Sequence, residues 1–164
     1  QPGTYQMKFG AEALKEVYQR TDIVFCNKEE AQWILEAPAG SDIKELLKSI
    51  RGLGPKIVII TDDVRGSYAM DENGRAWHVP RYPDPRAPYE ITGAGDALAS
   101  TTVAALALGR PFEEALLWGA VNASSVLQDI GAQRGLLTRE QLEKNLNNLP
   151  AQAGPPAAFA VQKL

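Results

Sequence analysis

The segment at residues 89–96, Tyr-Glu-Ile-Thr-Gly-Ala-Gly-Asp, constrains the fold more than any other part of the chain. Gly93 and Gly95 flank a single alanine, so the main chain can turn sharply there with its N–H groups converging. Residues 97–108, which follow, are rich in alanine, serine and threonine and predict a helix that packs closely on a sheet. The segment therefore predicts a tight turn that opens a buried helix.

Such a turn is suited to binding an anion, because converging N–H groups and the helix dipole both attract negative charge. Asp96 falls in the first helical turn, where it is stabilised as the carboxylate. There it could accept a proton from a hydroxyl that attacks a bound phosphate. The alternative is a plain glycine-rich turn in which Asp96 only complements the dipole, and the turn by itself leaves both interpretations open.

Thr-Gly-Ala-Gly-Asp at 92–96 resembles the second signature of the PfkB sugar kinases, the ribokinase-like family. The resemblance implies that Asp96 is the catalytic base. It also implies an anion hole for the transferred phosphoryl group, formed by Gly93, Ala94 and Gly95.

The residues before this motif depart from the family pattern at two positions. Glu90 stands where the family usually has aspartate, and Ile91 stands where it usually has its first threonine. The family's acidic residue often helps to bind a monovalent cation, so the resemblance makes Glu90 a candidate metal ligand. Thr92 is a candidate for nucleotide contact.

Asn-Lys-Glu-Glu at 27–30 follows an apolar run and resembles the family's Asn-x-x-Glu motif. In the family this motif places the triphosphate and its magnesium ion, which would make Asn27 a nucleotide ligand and Glu30 a metal ligand. The alternative is a capping box, in which Asn27 and Glu30 only start a helix.

Two further segments resemble the family's nucleotide site. Ile-Val-Ile-Ile-Thr at 57–61 and the turn that ends at Gly66 resemble the strand and turn against which the family lays its nucleotide, with Asp63 in place of the usual glycine. Gly-Ala-Gln at 131–133 resembles the segment after the adenine-lining helix. An asparagine of that helix has Ala120 at its place, with Asn122 two residues on. The resemblance makes Thr61, Gly66, Asn122 and Gly131 candidates for nucleotide binding.

Hydrophobic periodicity and turn residues predict alternating helices and strands. A helix is expected over about residues 8–19, with Leu14, Val17 and Tyr18 on one face. Strands are expected at 23–26 and 57–61, and Asn73-Gly74 predicts a hairpin between 66–70 and 76–79. Further helices are predicted at 27–35, after Ser41-Asp42, and at 97–108, 112–127 and 139–146.

This order predicts a three-layer α/β fold of the ribokinase-like type, with a mostly parallel, mixed sheet that includes a local hairpin. The resemblance covers only about the C-terminal half of the family's catalytic core, so the fold is expected to be truncated on its N-terminal side. We expect a nucleotide-binding domain over 1–149 and a mobile Pro/Ala-rich tail over 150–164.

Charge and composition exclude several other classes of protein. The net charge of -3 leaves no basic surface for a nucleic-acid backbone. The single cysteine, Cys26, excludes an internal disulfide and predicts a buried, inert thiol. The only histidine, His78, falls at an alternating strand position and predicts a packing or surface role. Without a membrane-length apolar run or a signal sequence, a soluble cytoplasmic protein is expected.

The resemblance implies an ATP-dependent kinase that uses Mg²⁺, with a monovalent cation as a further candidate, and that phosphorylates a sugar or nucleoside hydroxyl. The chain lacks the family's first glycine signature and lid, so activity of this chain alone is doubtful. The alternative is a non-catalytic module that binds a nucleotide or a partner chain. A sheet edge left open by the missing half predicts a homo-oligomer or a complementing N-terminal half.

Overall fold

The computed structural model describes residues 1–84, 86–148 and 159–164. The chain divides into two compact units. The first comprises residues 1–78 and 162–164, and the second comprises residues 79–161.

A five-stranded sheet, in the order β1-β2-β3-β4-β5, organises the first unit. Its strands are β1 Ile23–Asn27, β2 Ile57–Thr61, β3 Ser67–Met70, β4 Ala76–Val79 and β5 Gln162–Lys163. β1 and β2 are parallel, whereas β3 runs antiparallel to β2 and β5 antiparallel to β4. The α/β class and the mixed sheet with its hairpin are confirmed.

Parallel pairing is less extensive than predicted. In the described part of the chain it is found between β1 and β2, so the expectation of a mostly parallel sheet needs correction. A parallel pair requires a crossover connection, and the helices between β1 and β2 provide one. Short turns join β2 to β3 and β3 to β4, and such connections suit antiparallel neighbours.

The crossover helices and the central strand form the core of the first unit. α4 spans Lys28–Ile34, and α5 spans Ile43–Gly52 with Asp42 as its N-cap. Three successive residues of β2 are fully buried, which confirms the prediction of a central strand covered on both faces: Val58, Ile59 and Ile60. Leu46, Leu47 and Ile50 of α5 belong to the same buried cluster as Val58 and Ile60.

The predicted helix over residues 8–19 is wrong in its extent. Three short helices replace it: α1 Thr4–Met7, α2 Gly10–Ala13 and α3 Lys15–Gln19. Gly10 adopts a φ of 74°, which is incompatible with a continuous right-handed helix. Tyr18 is buried as expected and Leu14 packs against the core, but Val17 is 60% exposed, so the predicted apolar face forms only in part.

Three longer helices dominate the second unit: α6 Ala94–Ala107, α7 Phe112–Val126 and α8 Arg139–Asn147. They agree with the predicted helices to within three residues at each end. Gly119 of α7 lies so close to Thr102 and the Leu98 carbonyl of α6 that a Cβ atom would clash with both. The close approach of α6 and α7 therefore requires glycine at position 119.

The predicted division into a domain over residues 1–149 and a mobile Pro/Ala-rich tail over 150–164 stays a prediction. The predicted Pro/Ala-rich segment lies within 149–158, outside the described residues. Beyond it, Gln162 and Lys163 pair with His78 and Trp77 of β4, and the Leu164 N–H donates to the Ala76 carbonyl at 2.9 Å. A polar two-residue strand carries no hydrophobic pattern, so the sequence alone does not predict it.

The environments of Cys26 and His78 agree with their predicted packing roles. Burial, followed by the nearby Glu30 charge, raises the pKa of the Cys26 thiol to about 12, so the thiol stays protonated and inert. The His78 ring stacks on Tyr68 at 4.8 Å, and its Nε2 lies 2.8 Å from the Arg65 carbonyl. Among the described residues, no helix combines the length and apolarity needed to cross a membrane.

Candidate active site

The first group of candidate residues lies at the carboxyl ends of β1 and β2. These strands are parallel, and their register pairs Asn27, the last residue of β1, with Thr61, the last residue of β2. Ligands of α/β sheets bind beyond the carboxyl ends of the strands. The structure therefore brings two of the predicted nucleotide ligands side by side at the appropriate edge.

Asn27 also starts α4 through a complete capping box. Its Oδ1 accepts the Glu30 N–H at 2.8 Å, and Glu30 Oε2 accepts the Asn27 N–H at 2.8 Å. The capping interpretation is thus confirmed as geometry. The capping box occupies one carboxylate oxygen of Glu30 and fixes the direction of the carboxylate. The metal role of Glu30 stays a prediction.

The turn after β2 has positive φ angles at two positions. Asp63, at the position where the family usually has glycine, adopts a positive φ of 47°, and Gly66 adopts 88°. A short 3₁₀ helix, Asp63–Arg65, lies between β2 and Gly66. The aspartate tolerates a left-handed conformation better than most residues, so the turn forms without glycine.

Asp62 is a residue of this edge that sequence reasoning missed. It follows Thr61 directly, is buried, and accepts hydrogen bonds from the side chains of Lys28 and Arg65. The hydrogen bond from Arg65 lowers the pKa of Asp62 more than burial raises it. The signal for Asp62 in the sequence is its position. Lys28 directly follows the last residue of β1, and Asp62 directly follows the last residue of β2, the neighbouring parallel strand.

The second group of candidates lies at the N-terminus of α6. Gly93 is its N-cap, with a φ of 86° and no side chain to cap the helix. The Ala97 N–H donates to the Gly93 carbonyl at 2.8 Å, so the N–H groups of Ala94, Gly95 and Asp96 precede the first intrahelical donor and have no acceptor within the helix. Asp96 lies in this first turn with its side chain exposed. The donors and the carboxylate thus fit an anion that reacts with a hydroxyl.

A close approach between two loops holds this turn in place. A Cβ atom at Gly93 would lie 2.5 Å from the Ala132 Cβ and 2.6 Å from the Ala132 Cα. Only glycine permits that approach together with the positive φ. The predicted anion hole is therefore built on the segment that contains Gly131 and Ala132.

Glu90 ties the same two loops together. Its carboxylate accepts a hydrogen bond from the Thr92 side chain and another from the Gly131 N–H at 3.0 Å. These bonds, that from Thr92 first, hold the pKa of Glu90 below its usual range. The structure thus gathers Glu90, Thr92 and Gly131 around the turn, while cation binding at Glu90 stays a prediction.

Asn122, by contrast, is engaged inside the protein. It is 4% exposed, its Nδ2 donates to Thr101 Oγ1 at 2.7 Å, and its Oδ1 accepts the Leu137 N–H at 2.9 Å. The side chain thus links α6, α7 and the segment before α8. Its direct contact with a nucleotide stays a prediction, and a structural role is what the geometry supports.

We expect Asn122→Ala to lower the free energy of unfolding by about 2–3 kcal/mol, because it leaves the Leu137 N–H and the Thr101 hydroxyl without their partner. Asn147→Ala, which removes an exposed asparagine of α8, should change it by less than about 0.5 kcal/mol. Chemical denaturation of both variants measures the difference. Equal stability of the two would contradict the structural role of Asn122.

Comparison with known proteins places these features in a family. The sequence profile of the pfkB family carbohydrate kinases matches residues 3–139. The chain is 35% identical over 119 residues to a cytidine kinase of Thermococcus kodakarensis, an alignment that covers 72% of this chain and 41% of the relative. It is 28% identical to a 5-dehydro-2-deoxygluconokinase of Bacillus subtilis, over 78% of this chain and 38% of the relative.

Two solved structures show the same fold. A nucleoside kinase of Methanocaldococcus jannaschii, described as an archaeal member of the ribokinase family, superposes with a TM-score of 0.75 at 25% identity, over 89% of this chain and 46% of that chain. A ribokinase of Thermotoga maritima superposes with a TM-score of 0.71 at 25% identity, over 82% and 45%. The α/β fold is thus ribokinase-like.

The chain spans 41% and 38% of the lengths of the two curated relatives named above. The family profile nevertheless matches most of this chain, including both groups of candidate residues. The chain therefore belongs to the pfkB family of carbohydrate kinases.

Proposed function

We propose that this protein transfers a phosphoryl group from ATP to a hydroxyl of a sugar or nucleoside. The observation that carries the proposal is the N-terminus of α6, where Gly93 leaves the first turn uncapped and Asp96 is exposed beside it. Family membership supports the same chemistry, since the named relatives are kinases of a nucleoside and of a sugar acid.

The residues of this turn have complementary parts in the proposed reaction. Phosphoryl transfer depends on positioning and on stabilising charge over the phosphoryl oxygens. The N–H groups of Ala94 and Gly95, together with the α6 dipole, would donate to those oxygens. Asp96 would accept the proton of the attacking hydroxyl while the oxygen of that hydroxyl forms a bond to the terminal phosphorus of ATP and the bond from this phosphorus to the departing ADP oxygen breaks.

The nucleotide contacts proposed for the first unit are Asn27, Thr61 and Gly66. Support comes from the register that pairs Asn27 with Thr61, and from the turn that Gly66 closes by accepting the Asp62 N–H at 2.8 Å. In the second unit, Thr92 and Gly131 are proposed on their position around the α6 turn.

Two cation sites complete the proposal. Mg²⁺ bound with ATP would neutralise phosphate charge, and Glu30 is the carboxylate proposed to hold it through water. Glu90 is proposed to contribute to a monovalent cation site. Self-association or a complementing N-terminal half remains a prediction about partners.

Two assays test the proposed function together. Calorimetric titration with magnesium-ATP should show saturable binding at one site per chain. Transfer of the terminal phosphoryl group should then be followed with a panel that includes cytidine, ribose and 5-dehydro-2-deoxygluconate. Absence of ATP binding would overturn the proposal, and binding without transfer to any acceptor would favour a non-catalytic nucleotide-binding module.

Glu30→Gln separates the capping role of Glu30 from its proposed metal role. Glutamine serves a capping box nearly as well as glutamate, so we expect an unchanged melting temperature. Magnesium-ATP affinity should fall by about tenfold, because the amide lacks the charge that a hard cation prefers.

Glu29→Gln is the matched control, since Glu29 lies in the same first turn of α4 with its side chain exposed. It should leave magnesium-ATP affinity unchanged. Equal affinities of the two variants at saturating magnesium would remove Glu30 from the metal site.

A further inference from the structure

The parallel register of β1 and β2 has a consequence one residue beyond the strands. Asn27 pairs with Thr61 at the ends of β1 and β2. The residues that follow them, Lys28 and Asp62, therefore lie at the same edge of the sheet. Lys28 is the first residue of α4, and Asp62 begins the turn that ends at Gly66. The two residues meet at 3.5 Å between Lys28 Nζ and Asp62 Oδ2.

Asp62 also forms hydrogen bonds within its own turn. Arg65 donates to it through two nitrogens, with Nε 2.7 Å from Oδ2 and a terminal nitrogen 2.9 Å from Oδ1. The main chain closes the same loop, since the Asp62 N–H donates to the Gly66 carbonyl at 2.8 Å. A bidentate arginine contact of this kind restricts both partners to one geometry.

The charges around Asp62 favour its ionised form. The Asp62 side chain is 9% exposed, whereas those of Lys28 and Arg65 are 24% and 63% exposed. The two cations keep contact with water while the carboxylate is buried between them. The hydrogen bond from Arg65 keeps the pKa of Asp62 low despite its burial, so the contacts persist as pH falls past the usual value for aspartate.

We infer that Asp62 is a positioning residue of the nucleotide site. Its carboxylate joins the start of α4, which carries Asn27 and Glu30, to the turn that carries Thr61 and Gly66. A ligand that contacts both segments at once gains from their fixed separation, whereas a ligand that contacts one segment does not. This inference rests on the proposed function, because the ligand it requires is a nucleoside triphosphate.

The same two strands carry a matched control at their opposite ends. Asp22 precedes β1, Lys56 precedes β2, and their side chains form an ion pair at 2.6 Å. Both side chains are exposed, at 75% and 66%. This pair therefore links β1 to β2 just as Lys28 and Asp62 do, but at the edge away from the proposed ligand.

The experiment measures three affinities for Asp62→Asn and Asp22→Asn by calorimetry. The probes are ATP, which would contact both segments, and adenosine and inorganic tripolyphosphate, each of which would contact only one. Asp62→Asn should weaken ATP binding by about tenfold, the effect of losing one charge-assisted contact. Adenosine and tripolyphosphate should bind it as they bind the unmodified chain, and Asp22→Asn should bind all three normally.

Lys28→Met provides a second route to the same result. It keeps an unbranched side chain but removes the contact on the α4 side, so it should weaken ATP binding as Asp62→Asn does. In the double variant the two losses of ATP affinity should not add, because both substitutions remove the same contact between Lys28 and Asp62. Strict additivity of the losses would contradict the link.

The outcomes separate this inference from the proposed function. If the unmodified chain does not bind ATP, both are overturned. If it binds ATP and Asp62→Asn binds it equally well, this inference alone is overturned. A uniform loss of affinity for all three probes would mean general structural damage and would also overturn the positioning role.

Discussion

Asp96→Asn should lower the rate of phosphoryl transfer by about 10²–10⁴-fold, the usual cost of losing a general base. The amide keeps the size of the carboxylate but cannot accept the proton of the attacking hydroxyl. ATP affinity should stay within about threefold, because the donors at the α6 N-terminus are main-chain N–H groups. Initial rates at saturating ATP and acceptor, with calorimetry in parallel, measure both quantities.

Glu113→Gln serves as the control for this experiment. Glu113 lies in the first turn of α7, so its replacement also removes a carboxylate from the N-terminus of a long helix in the second unit. It should leave the transfer rate unchanged, since any loss of helix-dipole stabilisation affects only stability, by about 0.3–1 kcal/mol. Unchanged turnover in Asp96→Asn would exclude Asp96 as the base.

Gly93→Val should destroy the anion-binding turn. The φ of 86° disfavours a β-branched residue, and the added Cβ would lie 2.5 Å from the Ala132 Cβ. Backbone strain and steric overlap together should destabilise the second unit by on the order of 3 kcal/mol or more. We expect ATP binding to be lost by calorimetry, with a lower melting temperature.

Gly109→Ala separates the effect of strain from the effect of overlap. Gly109 also has a positive φ, of 75°, but a Cβ atom there would meet no atom within 4 Å. The variant should lose only about 1–2 kcal/mol of stability and bind ATP normally. Normal ATP binding by Gly93→Val would show that the turn does not hold the phosphate.

The elements that were predicted well are those whose local chemistry decides their structure. β2 was predicted with the observed bounds, because Ile57 to Thr61 is β-branched throughout and buried on both faces. The hairpin followed from Asn73-Gly74, and Gly74 adopts the positive φ, 77°, that the tight turn requires. The capping box of Asn27 and Glu30 was visible as a sequence pattern for the same reason.

The features that were missed depend on contacts between distant residues. The positive φ of Gly10, which interrupts the first helix, leaves no mark in hydrophobic periodicity. β5 is short and polar, so its pairing with β4 is a tertiary event. Asp62 becomes informative only once the register of β1 and β2 places it beside Lys28.

The candidate site was predictable to a similar extent. Gly93, Ala94, Gly95 and Asp96 were predicted from the resemblance of residues 92–96 to the family motif, and they lie together at the N-terminus of α6, while their roles stay predictions. The sequence could not show that Glu90 joins this turn to Gly131, because that bond spans 41 residues. Nor could it show that both polar groups of Asn122 are already used inside the protein.

The amide resonances of Ala94 and Gly95, followed by NMR while the chain is titrated with magnesium-ATP and then with magnesium-ADP, test the phosphate-binding role of α6 most directly. If these N–H groups hold the transferred phosphoryl group, both resonances should shift strongly and saturably with ATP and much less with ADP, which lacks that group. Resonances that stay unmoved by ATP while the chain binds it elsewhere would contradict the role proposed for this turn.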